Sequence, residues 1–157
     1  MTRLRDHERY MRLAIDEARK SGETVGRGVG AVVVGNGQIL GRSGRRPERL
    51  VDPTAHAEMM AIHEAARHLG RDDLGGCTLY TTLEPCPMCC GAIVVSNIST
   101  LVIGAREDPN KRRWGDYRVE RVLSMTGWDK AENHLITGIL TQECLAALQS
   151  AGRKSLR

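Results

Sequence analysis

Short β-branched runs separated by stretches of helical periodicity constrain the fold of this chain more than any other feature. Residues 29–34 form such a run; Gly35, Asn36 and Gly37 then turn the chain and residues 38–41 return, which predicts a two-strand hairpin. Residues 77–83 and 100–104 read as two further strands, and 135–139 as a last one. Between the strands lie helices. Leu4, His7, Met11, Ala14 and Ala18 share one face over residues 4–20, with Gly22 and Gly26 as the stop. A second helix, capped by Asp52 or Thr54 with Pro53 in its first turn, runs to about Leu69. Pro85 opens a third through about Ser96, and shorter helices are expected over 117–125 and 142–149. Strands alternating with helices predict an α/β fold, a three-layer α/β/α sandwich around a mixed sheet of about five strands. With no repeat, low-complexity tract or linker, residues 1–157 read as a single domain.

Composition removes several function classes. Hydrophobic residues make up 41% and charged residues 27%, which excludes a disordered or collagen-like chain. No apolar run approaches the roughly 18 residues of a membrane span. The first 22 residues carry charges throughout and lack an apolar signal core, so the chain reads as cytoplasmic. Arginine supplies nineteen of the 23 basic residues, and the formal net charge is +4. Arginine suits phosphate and carboxylate. Phe is absent, which argues against a surface stacking successive bases, although one or two aromatics such as Trp114 can line a pocket. Five cysteines without an export signal argue for metal or catalytic use instead of a disulfide framework.

Two short motifs carry the chemistry. In Pro85-Cys86-Pro87-Met88-Cys89, the spacing lets two thiolates face one ion, and a helix start favours the anionic thiolate. In His56-Ala57-Glu58, the imidazole offers a third ligand from a second helix, and Glu58 points elsewhere on a regular helix. Zn²⁺ takes such donors, and a catalytic site keeps one position open for water. One His, two Cys, one water and a nearby carboxylate match the H-x-E and P-C-x-x-C signature of zinc deaminases. A redox Cys-x-x-Cys pair would leave His56 and Glu58 unexplained. A structural zinc would need a fourth protein ligand, and Cys90 is adjacent to Cys89. Cys77, Cys90 and Cys144 read as small buried residues. His63-Glu64 lacks the second histidine of a metalloprotease helix, since Arg67 stands there, and the Gly26–Gly30 cluster precedes a strand instead of following one.

Together with Val29-Gly30-Ala31-Val32, Asp52-Pro53-Thr54-Ala55, Thr78-Leu79-Tyr80, Gly91-Ala92 and Gly104-Ala105-Arg106, these motifs resemble the cytidine-deaminase-like superfamily, in its branch of tRNA adenosine, guanine and fungal-type cytosine deaminases. The resemblance covers residues 8–148 and weakens after 106. It implies zinc on His56, Cys86 and Cys89. It implies Glu58 as the catalytic group that takes a proton from water and returns protons to the ring nitrogen and the leaving amine. It also implies backbone groups near Ala57 holding water and ring edge, and a homodimer. The expected activity converts an aminated nucleobase, nucleoside or nucleotide ring to its keto form with release of ammonia.

Substrate is where the sequence departs from the family. Relatives place an Asn in the loop after the second strand, and here Arg45 stands in an arginine-dense stretch, residues 41–49. A solvated loop is one reading of it, and recognition of an anionic group the other. The resemblance also implies, for the tRNA enzymes, a C-terminal helix bearing adjacent Phe residues. This chain ends with Arg153, Lys154 and Arg157 and no Phe. Lys111-Arg112-Arg113-Trp114 is a further candidate phosphate contact. These departures favour a small-molecule ring, with a tRNA adenosine as the alternative. A non-catalytic zinc-binding partner subunit is the reading of another class, and the presence of Glu58 argues against it.

Overall fold

The computed structural model describes residues 3–25, 27–45, 51–111 and 113–150. Five strands form one mixed sheet: β1 (Gly30–Gly35), β2 (Gln38–Gly44), β3 (Thr78–Leu83), β4 (Thr100–Ala105) and β5 (His134–Thr137), in spatial order β2-β1-β3-β4-β5. β1 runs antiparallel to both its neighbours, whereas β3, β4 and β5 are mutually parallel. At the β1–β2 turn, Asn36 and Gly37 both take positive φ (49° and 74°), the backbone of a tight hairpin.

Among the described residues five α-helices cover the sheet: α1 (Leu4–Val25), α2 (Ala57–Leu69), α3 (Pro87–Val95), α4 (Val119–Met125) and α5 (Thr141–Ser150). Strand alternation sorts their partners. Val32, Val34, Tyr80 and Val102 face α1 and α5, meeting Met11, Ala14, Ile15, Ala18 and Ala147. Ala31, Val33, Leu79, Leu101 and Ile103 point the other way, into a core closed by α2, α3 and α4. The expected three layers are present.

Several boundaries differ from expectation: α3 opens at Pro87 instead of Pro85, and β5 covers His134–Thr137 instead of 135–139. Three further shifts have a local reason. α1 continues through Gly22 to Val25, because its buried stripe extends to Ser21, whose hydroxyl bonds back to the Ala18 carbonyl. β2 continues to Gly44, where glycine serves close approach and not a turn. A Cβ at Gly41 would lie 2.2 Å from the Ala61 carbonyl oxygen of α2, and one at Gly44 2.4 Å from Ser21 Cβ of α1. α2 begins at Ala57, because Asp52 closes its own turn, accepting bonds from the Thr54 amide (2.8 Å) and hydroxyl (2.6 Å). Gly28 and Gly30 of the Gly-rich cluster pack equally tightly: added Cβ atoms would meet the Ala147 carbonyl oxygen at 2.2 Å and that of Ala14 at 1.9 Å.

A buried polar contact pins α1 to the sheet. His7 Nδ1 lies 3.0 Å from the Tyr80 hydroxyl, and Tyr10 donates to the Gly37 carbonyl at 3.1 Å. Burial lowers the His7 pKa, against a smaller opposing effect of Asp6. The fold therefore favours the neutral ring. Its contribution is fully present above the unfolded histidine value of about 6.5 and is lost as pH falls through the lowered folded value. We expect the melting temperature to drop between about pH 7 and pH 5, a window above the carboxylates, and a His7→Asn variant to show a shallower slope. Parallel slopes for the two proteins would remove His7 from the account.

Candidate active site

Two helix starts converge beyond the end of β3. His56 is the residue before α2, with extended backbone (φ −70°, ψ 156°), and Cys86 occupies the same place before α3 (φ −66°, ψ 169°). Neither side chain caps its own helix, so both are available to a third party. His56 Nδ1 lies 3.5 Å from Cys86 Sγ and 3.7 Å from Cys89 Sγ. The three donor atoms all lie within 4.8 Å of one another, close enough to share one ion. Pro87 at the first position of α3 has no N–H to leave unpaired, and the Cys90 amide closes the turn onto the Cys86 carbonyl at 2.9 Å.

Electrostatics divide the two thiols. A hydrogen bond from Cys89 and then the His56 imidazole hold Cys86 down at about 4, despite its burial. Cys89, fully buried, is pushed well up by its bond to Cys86 and by desolvation. His56 is raised, chiefly by its contact with Cys86. A thiolate, a second thiol and an imidazole with room for one more ligand fit a catalytic zinc; the two helix starts favour the anionic donors. Among the described residues no fourth His, Cys, Asp or Glu joins the cluster.

Glu58 stands beside this cluster in the first turn of α2, only 3% exposed. One carboxylate oxygen accepts from the Thr81 hydroxyl at 3.0 Å, and the other lies 3.5 Å from Cys89 Sγ. Burial raises its pKa, with a further push from the Cys86 thiolate, while His56 and Thr81 act in the opposite direction.

A cavity of about 500 Å³ opens over these groups. Arg45, Ala57 and Trp114, singled out in the sequence, all border it, as do Arg106, Arg113 and Tyr117. Trp114 is 44% exposed and carries the Arg113 guanidinium 4.8 Å from its ring centre. Residues 46–49, Arg112 and the basic end at Arg153, Lys154 and Arg157 lie outside the described residues. Glu84, at the exit of β3, accepts from Arg106 (3.1 Å) and from the Val119 amide (3.3 Å). Cys77, Cys90 and Cys144 are buried as expected, and a Cβ at Gly104 would lie 2.3 Å from the Cys144 sulfur. His63, His68 and His134 line none of this cavity. Sequence reasoning missed Thr81 and Tyr117. Nothing marks Thr81 except its inward place on β3, and Tyr117 stands 32 residues along the chain from the Pro85 carbonyl that it bonds.

No helix among the described residues is long and apolar enough to cross a membrane. Residues 4–105 match the cytidine and deoxycytidylate deaminase zinc-binding region. The tRNA-specific adenosine deaminase of Bacillus subtilis (strain 168) is 40% identical over 150 residues, covering 94% of this chain and 89% of that protein. A solved structure from a study of A-to-I editing by tRNA:A34 deaminases superposes with a TM-score of 0.74 at 35% identity, over 89% of this chain and 99% of that one. A guanine deaminase from Nitrosomonas europaea gives 0.80 at 25% identity, over 93% and 84%. The chain belongs to the cytidine and deoxycytidylate deaminase family of zinc-dependent hydrolases.

Proposed function

We propose that this chain deaminates an adenine ring presented by tRNA, with zinc held by His56, Cys86 and Cys89 and protons moved by Glu58. The observation that carries the substrate is the 40% identity with a tRNA-specific adenosine deaminase, sustained over 94% of the chain. An arginine-bearing cavity mouth, with Arg45 and Arg113 on its border, suits a phosphate-bearing substrate. Trp114 is the one exposed aromatic there, among the described residues, on which a base can stack.

Held by His56, Cys86 and Cys89, a zinc ion would supply Lewis-acid chemistry that favours water as a nucleophile at neutral pH. Glu58 does the rest of the proton work. Its carboxylate takes a proton from the attacking water and gives it to the ring nitrogen. Glu58 then takes the proton of the newly added hydroxyl and gives it to the amino group, which leaves as ammonia while the ring carbon becomes a carbonyl. Thr81 fixes the carboxylate so that its other oxygen faces the cluster. The Ala57 backbone, at the cavity edge, holds the ring edge and water. We also assign residues 1–157 to one deaminase domain, acting in the cytoplasm as a homodimer.

A free base, nucleoside or nucleotide is the second reading. It is favoured by Arg45, by the absence of Phe and by the likeness to a guanine deaminase. Ammonia release from a panel of free rings and an adenosine-containing anticodon stem–loop separates the two. On the stem–loop, kcat/KM should fall about tenfold between roughly 50 and 200 mM salt, as about two phosphate contacts require. Turnover confined to free rings, with a flat salt response, would overturn the tRNA reading.

A further inference from the structure

The turn that delivers Cys86 is tied on its other side to the segment that walls the cavity. Three sets of bonds make the tie. The Glu84 amide donates to the Ala105 carbonyl at 2.8 Å, fixing the exit of β3 against the end of β4. The Glu84 carboxylate bridges Arg106 and the first amide of α4, and Arg106 also pairs with Glu120. The Tyr117 hydroxyl donates to the Pro85 carbonyl at 2.5 Å, on the residue immediately before Cys86.

We infer that Tyr117 is a positioning residue of the zinc centre, holding the Pro85–Cys86 turn in the backbone conformation that aims the Cys86 thiolate at His56. This inference rests on the metal assignment above. A residue before a helix has no intrahelical bond through its own amide to hold it, so its orientation depends on neighbours. Here the Pro85 carbonyl is the nearest backbone acceptor upstream of the ligand, and its partner comes from 32 residues away. Tyr117 is half-buried against the core and borders the cavity, so one side chain touches the ligand turn and lines the space for the ring. Without the hydroxyl the aromatic ring still fills its place, but no other hydrogen bond among the described residues holds the Pro85 carbonyl.

The test is Tyr117→Phe in the full-length zinc-loaded protein, read by the rate of zinc loss to a chelator and by kcat and KM separately. Partners that orient metal ligands typically alter metal affinity or activity by about 10–100-fold. We expect zinc loss to quicken about tenfold and kcat to fall by a similar factor, with KM within about twofold. Val34→Ala, at the far end of β1, controls for general loosening of the fold and should leave zinc retention unchanged. Wild-type zinc retention and kcat in Tyr117→Phe would overturn the inference while leaving the metal assignment standing. Equally fast zinc loss from Val34→Ala would overturn it too, by showing that any loosening of the core suffices. A wild-type protein that binds no zinc would overturn the metal assignment and this inference with it.

Discussion

Glu58→Gln is expected to keep the fold and the zinc while losing deamination by about 10²- to 10⁴-fold, the usual contribution of a positioned acid–base group. The reason the fold should survive lies in the burial of the carboxyl. At 3% exposure burial already raises the Glu58 pKa and penalises its charge, so a neutral amide of the same shape adds little strain. Its oxygen can still accept from Thr81, which holds Glu58 at 3.0 Å. What the amide cannot do is take a proton from water and return it. Metal analysis and single-turnover rates on one preparation check both halves. Undiminished turnover would mean another group moves the protons, and Glu84, bound to Arg106 and the start of α4, is poorly placed for it.

Cys89→Ala should abolish both zinc binding and activity, and lower stability as well. Cys89 is fully buried in the first turn of α3, and its removal leaves His56 and Cys86 as a pair of donors where a catalytic zinc needs three. Zinc binds the folded state, so at a thousandfold excess over Kd it adds about 4 kcal/mol. For a chain of this length the melting temperature should fall by about 10 °C, at roughly 2–4 °C per kcal/mol. Wild-type protein stripped by a chelator should melt close to the variant. A variant that retained one zinc per chain would show that Cys89 is not a ligand.

The chemistry was legible because it sits in two short motifs whose spacing already matches a geometric need. His56, Glu58, Cys86 and Cys89 could be read as a group before their distances were known. Element order was legible too, since β-branched runs and helical stripes differ in period. Boundaries were less so wherever glycine or Asp had two meanings. Gly41 and Gly44 look like turn residues in one dimension, yet they let α2 and α1 lie against β2. Asp52 looks like a helix cap, yet it closes a turn five residues before the helix begins. Thr81, Tyr117 and the Glu84–Arg106 pair were not legible, because each acts across the fold on a partner the sequence does not place nearby.

The convergence of α2 and α3 has a consequence for how such a protein can diversify. Its reactive groups lie at or just inside two helix starts, within residues 56–89, and are held by the sheet beneath them. Much of the cavity border comes from a separate stretch, residues 104–118, together with Arg45. Reaction and recognition are thus written on different parts of the chain. A lineage that keeps Tyr117 and Arg106, which brace the Cys86 turn, can exchange the rest of the second stretch, so one inherited reaction can be turned to new rings by rewriting part of a loop.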